Sequence, residues 1–343
     1  MRIILSFNEA YAPHAAAVIT GLIKHSSQLL SVAILYLDIS DKTIARFKSY
    51  YSDRLDSIEF YKVEIESKLQ RRIKDIRTVS HLKGNVETYL RLFAHRYIKD
   101  DYALYLDCDI VVNGDVCQIL NEVDYNCYVS GVKEYDPNHK LLDFSVSKNK
   151  EEFPALWHYI CRDAHFYRLY KYYEMENTCC YMNAGVTFMN LKKWRDEKFY
   201  NIILSQLLSK DYFFAADQDV LNSCIKGEFG KLSPRWNSVV LNDGILSNYN
   251  HSELKEAIEK PIIVHLAGEG KPWNRKMGGT YRELYWEYRL DTPWPEYNVK
   301  LPKEKKKSLK HKLKSLIKSI IRKNGIEKTM IKNEMTSSFI EVL

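Results

Sequence analysis

Short apolar runs and longer amphipathic stretches alternate along the first sixty residues. "RIILSF" is a β-branched run closed by the turn-like "NEA", and it predicts a buried strand. "PHAAAVITGLIKHS" predicts a helix with Pro13 in its first turn. "LSVAILYLD" reads as a second strand. "SDKTIARFKSYYS" reads as a helix capped by Ser40 or Asp41, and "SIEFYKVE" as a third strand. "NVETYLRLFAHRYI" predicts a helix that runs into the apolar "ALYLDCDIVV". Further on, "AGVTFMNLKKWR" resumes regular structure, "DQDVLNSCIKG" predicts a helix ended by Gly227, and "KPIIVHLAG" predicts a late strand. Strands alternating with helices predict an α/β protein with a mostly parallel, Rossmann-like sheet flanked by helices. Ligands of such sheets bind at the carboxyl ends of strands. That rule puts Asn8, Asp38 and the Asp107/Asp109 pair on one rim.

The alternation fails between residues 136 and 180, a polar stretch rich in aromatics such as Phe144, Trp157, Tyr170 and Tyr173. It reads equally as a flap over a site, engaging an acceptor, or as a satellite cluster packed on itself. Pro293, Pro295 and Pro302 mark a linker. The chain therefore divides into a body, 1–300, and a tail, 301–343.

Two carboxylates in an apolar run need a reason. Residues i and i+2 of a strand share a face, so Asp107 and Asp109 in one strand would aim the same way. Held close, they repel each other and resist desolvation. A hard divalent cation removes both costs. The plainer alternative is a strand that ends near Leu106, with the aspartates capping a turn. Asp217-Gln218-Asp219 opens a helix, where one carboxylate can cap and another face a site. His265 closes the run "PIIVHL" and precedes "AGEGKPW". There Gly268 and Gly270 let a backbone approach a ligand, and Lys271 offers a point charge suited to phosphate. An imidazole beside two carboxylates suits Mn²⁺ better than Mg²⁺, with Mg²⁺ as the alternative.

Seven segments in order, "ILSFNEAYAPHAAAVITGLIKH", "ETYLRLFAHRYI", "YALYLDCDIVVNGDV", "YMNAGVTFMNLKKWR", "DQDVLN", "PRWNSV" and "IVHLAGEGKPWN", together resemble glycosyltransferase family 8. This family includes bacterial lipooligosaccharide galactosyl- and glucosyltransferases. The resemblance implies a GT-A fold and a Mn²⁺-dependent, retaining transfer of a hexose from a UDP-sugar donor to a glycan or lipid-linked glycan acceptor. By motif, it implies that Asp107, Asp109 and His265 bind the metal. Asn8, Tyr11, Arg91, Asp107, Asn183, Gly268 and Lys271 would line the donor, and Asp217, Gln218 and Asp219 the catalytic face. Position 8 departs from the acidic residue common in the family, and Ala216 stands where a Gln commonly precedes the acidic triplet. Two other functions also fit an Asp/Asp/His set or a basic tail: a metal-dependent phosphohydrolase or nuclease, and a non-catalytic membrane or nucleic-acid adaptor.

Charge then locates the chain. Residues 303–323 hold ten Lys/Arg against one Glu, and residues 324–343 carry −1, so the first 302 residues net −1 of the total +7. Basicity is confined to the tail, and no nucleic-acid surface is implied for the body. Seven cysteines without a C-x-x-C spacing suit a reducing compartment. The apolar run at the N-terminus is too short for a signal-peptide core, and no stretch of 18 apolar residues predicts a membrane span. Leu309, Leu313, Leu316, Ile317, Ile320 and Ile321 fall on one face of a helix otherwise filled with lysines. A basic amphipathic helix suits an anionic membrane surface. The expected location is cytoplasmic, peripheral at the inner face of the plasma membrane. The full chain is expected to co-sediment with anionic vesicles and to release as salt rises, whereas a 1–302 fragment stays in solution. Equal sedimentation of the two would rule out tail-mediated membrane binding.

Overall fold

The computed structural model describes residues 1–78, 82–134, 169, 172–175, 180–241, 244–245, 252–267, 271–273 and 280–295, all within the compact unit Met1–Val299. The tail helix expected over 303–323, most of the 136–180 segment, and Gly268 lie outside these residues.

Strands β1 (Arg2–Ser6), β2 (Ser31–Tyr36) and β3 (Ser57–Lys62) alternate with helices α1 (Ala12–His25), α2 (Asp41–Tyr51) and α3 (Ser67–Asp75). Pro13 lies in the first turn of α1, and the Ser40 hydroxyl caps α2 by accepting from the Thr43 amide. The run predicted as a helix over 85–98 is instead mostly a 3-10 turn, Glu87–Phe93, followed by the short α4 (Ala94–Tyr97). Its tighter winding buries five successive side chains, Tyr89 to Phe93, including Arg91. A seven-residue apolar pattern does not separate a 3.0 from a 3.6 period.

The chain continues through β4 (Tyr102–Leu106), β5 (Ile110–Val112), β6 (Val129–Lys133), β7 (Met182–Asn190), α5 (Leu191–Asp196), α6 (Phe199–Ser209), α7 (Asp217–Ile225) and β8 (Gly230–Lys231). After these come β9 (Ser238–Leu241), β10 (Gly244–Ile245), α8 (Ser252–Glu259), β11 (Ile263–His265) and α9 (Thr280–Leu290). A seven-stranded sheet has the order β3-β2-β1-β4-β7-β6-β8, and a four-stranded sheet the order β10-β9-β11-β5. In the large sheet β7 alone runs against its neighbours. "ALYLDCDIVV" is therefore not one strand: β4 belongs to the large sheet, β5 to the small one, and the aspartates occupy the connection. The plainer alternative, a strand ending at Leu106, is the observed one.

Alternate residues divide the core as a two-sided sheet requires. Ile3, Leu5, Val32, Ile34, Leu104 and Leu106 pack on one side; Ile4, Ala33, Leu35, Ala103 and Tyr105 pack on the other. All nine residues of β7 are buried.

Helix α9 closes the body against α1. The Tyr288 hydroxyl donates to the Val112 carbonyl (2.8 Å), and Thr20 donates to the Asp291 carbonyl (2.8 Å). Gly21 makes the approach possible, because a Cβ there would lie 2.8 Å from the Tyr288 ring and 3.3 Å from Val112. Gly21→Ala is expected to lower stability by about 1–3 kcal/mol through overpacking. The roughly 1 kcal/mol gained by removing a glycine from a helix offsets only part of that cost, because the contact with the Tyr288 ring lies below 3 Å, so urea unfolding should give a lower midpoint at unchanged slope.

Candidate active site

Two sheets meet where β4 hands over to β5. The Asp107 amide donates to the Gly185 carbonyl of β7 (2.8 Å), and the Leu266 amide after β11 donates to the Asp109 carbonyl (2.8 Å). The turn is thus pinned on both sides. β11 pairs antiparallel with β5, placing His265 opposite Ile110. One ligand atom each from Asp107, Asp109 and His265 lies within 4.8 Å of the others. His265 Nε2 is 3.2 Å from Asp109 Oδ1 and 3.9 Å from Asp107 Oδ2. The imidazole is 5% exposed. It rests where Gly185 has no side chain: a Cβ there would lie 2.6 Å from His265 Nδ1 and 3.1 Å from Asp107 Oδ2. Two carboxylates and an imidazole nitrogen on one cradle fit a hard or borderline divalent cation.

Fixed cations flank this cluster. Arg91 is buried, with Nη2 2.5 Å from Asp107 Oδ1 and Nε 2.7 Å from Asp217 Oδ2. It also donates to the Ala184 carbonyl and lies 3.9 Å over the Tyr105 ring. One guanidinium serves two carboxylates. Burial pushes the Asp217 carboxyl up to about 7, Asp107 and Asp219 add to the rise, and Arg91 offsets only part of it. Lys271 donates to Asp109 Oδ2 and to the Leu266 carbonyl (2.9 Å). Burial would raise Asp109, but its polar contacts, Lys271 foremost, outweigh it and hold the carboxyl well below the usual carboxylate range.

Helix α7 supplies the next wall. Ala216, at φ +51°, turns the chain into the helix. Asp219 Oδ2 accepts from the Ala215 amide (3.0 Å) and the Tyr173 hydroxyl (2.6 Å), and Oδ1 accepts from the Tyr181 hydroxyl. Asp219 is thus fully buried under the helix start. Gln218 shares the Tyr181 hydroxyl with Asp219. Its Oε1 accepts from the Ala184 amide (3.0 Å), while Nε2 donates to Glu134 Oε2 (2.5 Å) and to the Tyr181 hydroxyl (3.1 Å). Asn222 clamps both the amide (2.7 Å) and the carbonyl (2.8 Å) of Met182, tying α7 to β7.

On the rim, Asn8 Oδ1 accepts from the Tyr11 amide (3.3 Å) and so caps the turn Glu9–Tyr11. Tyr11 is 39% exposed. It lies edge-on to Trp273 (5.9 Å), which stacks on His14 at 3.6 Å. Desolvation raises the Tyr11 phenol to about 12, with smaller contributions from Asp109 and Asp107.

The structure therefore gathers Asp107, Asp109, His265, Lys271, Arg91, Asp217 and Gln218, sets Tyr11 and Asn8 beside them, and sinks Asp219 beneath. Asn183 touches the cluster through Asn237, whose Nδ2 donates to Asn183 Oδ1 (2.8 Å). Three contributors escaped the sequence reading. Gly185 and Asn237 stand inside quoted motifs but carried no separate signal. Glu134 is a lone acid at a strand end.

The family model described as glycosyl transferase family 8 matches residues 2–277. Lipopolysaccharide 1,2-glucosyltransferase of Escherichia coli K12 is 30% identical over 234 residues, 66% of this chain and 61% of that enzyme. The match thus spans under two thirds of that relative's length. General stress protein A of Bacillus subtilis 168 is 23% identical over 306 residues, 86% of this chain and 94% of that protein. Among solved structures, the galactosyltransferase LgtC in complex with donor and acceptor sugar analogs superposes with a TM-score of 0.66 at 20% identity, covering 85% of this chain and 96% of that one. That likeness shows the GT-A fold.

Gly185→Ala is expected to push His265 off its seat and weaken Mn²⁺ binding by about tenfold or more, read by isothermal titration. Unchanged affinity would mean that the imidazole is not a ligand.

Proposed function

The chain belongs to glycosyl transferase family 8, and on that premise we propose that it moves galactose or glucose from a UDP-sugar to a glycan acceptor with retention at the anomeric carbon. The observation that carries this reading is the convergence of Asp107, Asp109 and His265 within 4.8 Å, with Lys271 and Arg91 alongside. An acidic cradle bordered by fixed cations suits a diphosphate leaving group, with Asp107, Asp109 and His265 as the residues that would hold a divalent ion. Mn²⁺ is the ion proposed, with Mg²⁺ as the alternative. Bound there, the cation supplies Lewis-acid neutralisation of the departing diphosphate.

The chain's own groups do the rest. Lys271 exchanges its hold on Asp109 for the diphosphate, adding fixed positive charge where the bond breaks. Arg91 keeps Asp107 aligned through its ion pair. Tyr11 is assigned to stack on the uracil, with Asn8 at the base edge and Asn183 at the sugar, and Gly268 is assigned to the donor by its motif alone. Gln218 has its amide locked by Ala184, Glu134 and Tyr181. A neutral amide so engaged is a poor nucleophile, and the buried Asp219 supports the helix start from below. We therefore favour front-face transfer, in which the bond to the acceptor oxygen forms on the face from which UDP leaves. The anomeric carbon passes through oxocarbenium character, and Asp217 and Gln218 position the sugar.

The E. coli relative's name supports an acceptor of the lipopolysaccharide class. Among the described residues no helix is long and apolar enough to cross a membrane. Contact with a lipid-linked acceptor is assigned to the basic tail, at the cytoplasmic face of an anionic membrane. UDP-glucose and UDP-galactose, offered with Mn²⁺, are expected to give slow UDP release. Asp109→Asn should cut it by about 100-fold or more, and EDTA should abolish it. Hydrolysis of simple phosphodiesters to monoester and alcohol, or phosphate release from phosphomonoesters, without any UDP-sugar turnover would support a phosphohydrolase or nuclease instead.

A further inference from the structure

We propose that Asn237 is a positioning residue for the cation site: with Asn183 and the Gly185 amide it fixes His265 in the tautomer that a metal requires. This rests on the reading of Asp107, Asp109 and His265 as that site. The inference follows from the direction of three hydrogen bonds.

The chain starts at a group whose polarity is certain. The backbone amide of Gly185 can only donate, and it lies 3.0 Å from Asn183 Oδ1. The atom facing it is therefore the carbonyl oxygen of the Asn183 side chain, not its amino group. That same oxygen lies 2.8 Å from Asn237, so Asn237 must present its amino group there. Its own carbonyl oxygen then faces His265 Nδ1 at 3.0 Å. An oxygen acceptor at that distance calls for the proton on Nδ1. The neutral ring consequently carries its lone pair on Nε2, which points at Asp109 Oδ1 (3.2 Å) and Asp107 Oδ2 (3.9 Å).

A lone pair aimed at two carboxylates is unfavourable without a cation between them. The opposite tautomer would relieve the clash by donating Nε2–H to Asp109, and would close the site to metal with a proton. The asparagine chain works against that outcome. Asn183, Asn237 and His265 are all at least nine-tenths buried, so bulk water does not compete for these bonds. An acceptor on the far ring nitrogen is the usual device for orienting an imidazole ligand and raising its basicity. In this fold it is two amide side chains long and ends on the β7 backbone.

The test uses the full chain with ¹⁵N-labelled histidine, without metal, at pH about 8, where an ordinary imidazole is neutral. Long-range ¹H–¹⁵N spectra assign the tautomer, and the His265 signals are identified by their loss in His265→Gln. Wild type should show Nδ1–H. Asn237→Ala should shift the population toward Nε2–H and weaken Mn²⁺, followed by electron paramagnetic resonance, by about 10- to 100-fold. Nε2–H in the wild type, or an Asn237→Ala protein with the wild-type tautomer and Mn²⁺ affinity within about threefold of normal, would overturn the proposal. A tautomer shift in a protein that binds no Mn²⁺ would uphold the hydrogen-bond chain and overturn the cation reading.

Discussion

Arg91 holds one positive charge between Asp107 and Asp217, over the Tyr105 ring and buried from water. Most of the architecture around the candidate site can be read as the means of keeping that charge in place. A buried guanidinium is stable only when its donors are engaged and its charge is answered. The 3-10 turn Glu87–Phe93 turns Arg91 inward, β7 offers the Ala184 carbonyl, the β4–β5 connection offers Asp107, and the first residue of α7 offers Asp217. Four elements from distant parts of the chain are thus cross-linked by one side chain. Loss of the guanidinium would leave Asp107 and Asp217 facing each other in a dry setting. The fold tolerates its concentration of acid because Arg91 and Lys271 were placed with it.

The other constraint is the junction of two sheets. A site built at the end of a single parallel sheet would place its groups on loops. Here β5 leaves the large sheet immediately after the acidic turn and is captured by β11. His265 therefore reaches the aspartates from a strand, with its backbone held by pairing on both sides. The imidazole has no freedom to search for its ligand; the ladder delivers it.

Much of this was legible in the sequence because it depends on local rules. The alternation of β-branched runs with amphipathic stretches gave the α/β class. The oddity of two aspartates in an apolar run, and of a histidine ending another, marked three of the central residues. What the pattern could not convey was how they converge. Asp107 and Asp109 share no strand face, since the ten-residue run splits between two sheets, and only the non-local pairing of β5 with β11 decides where it splits. Asn237 and Glu134 were invisible for a related reason. A single polar residue beside a strand has many uses, and its partners here lie 54 and 84 positions away. The 3-10 turn around Arg91 was misread because seven residues are too few to separate its period from that of an α-helix.

The order in which these groups are made has its own consequence. Asp109 and Lys271 are 162 positions apart. At about 5–20 residues per second, a nascent chain carries its two aspartates for roughly 10–30 s before the lysine and histidine exist. Arg91 is translated earlier than any of the carboxylates it will touch. The ribosome therefore releases Arg91 first, the acids next, then the imidazole, and Lys271 last. On a growing chain, Arg91 can meet Asp107 early, but the Ala184 carbonyl comes only 93 positions after Arg91 and Asp217 later still, and the cradle itself stays open until His265 and Lys271 are made.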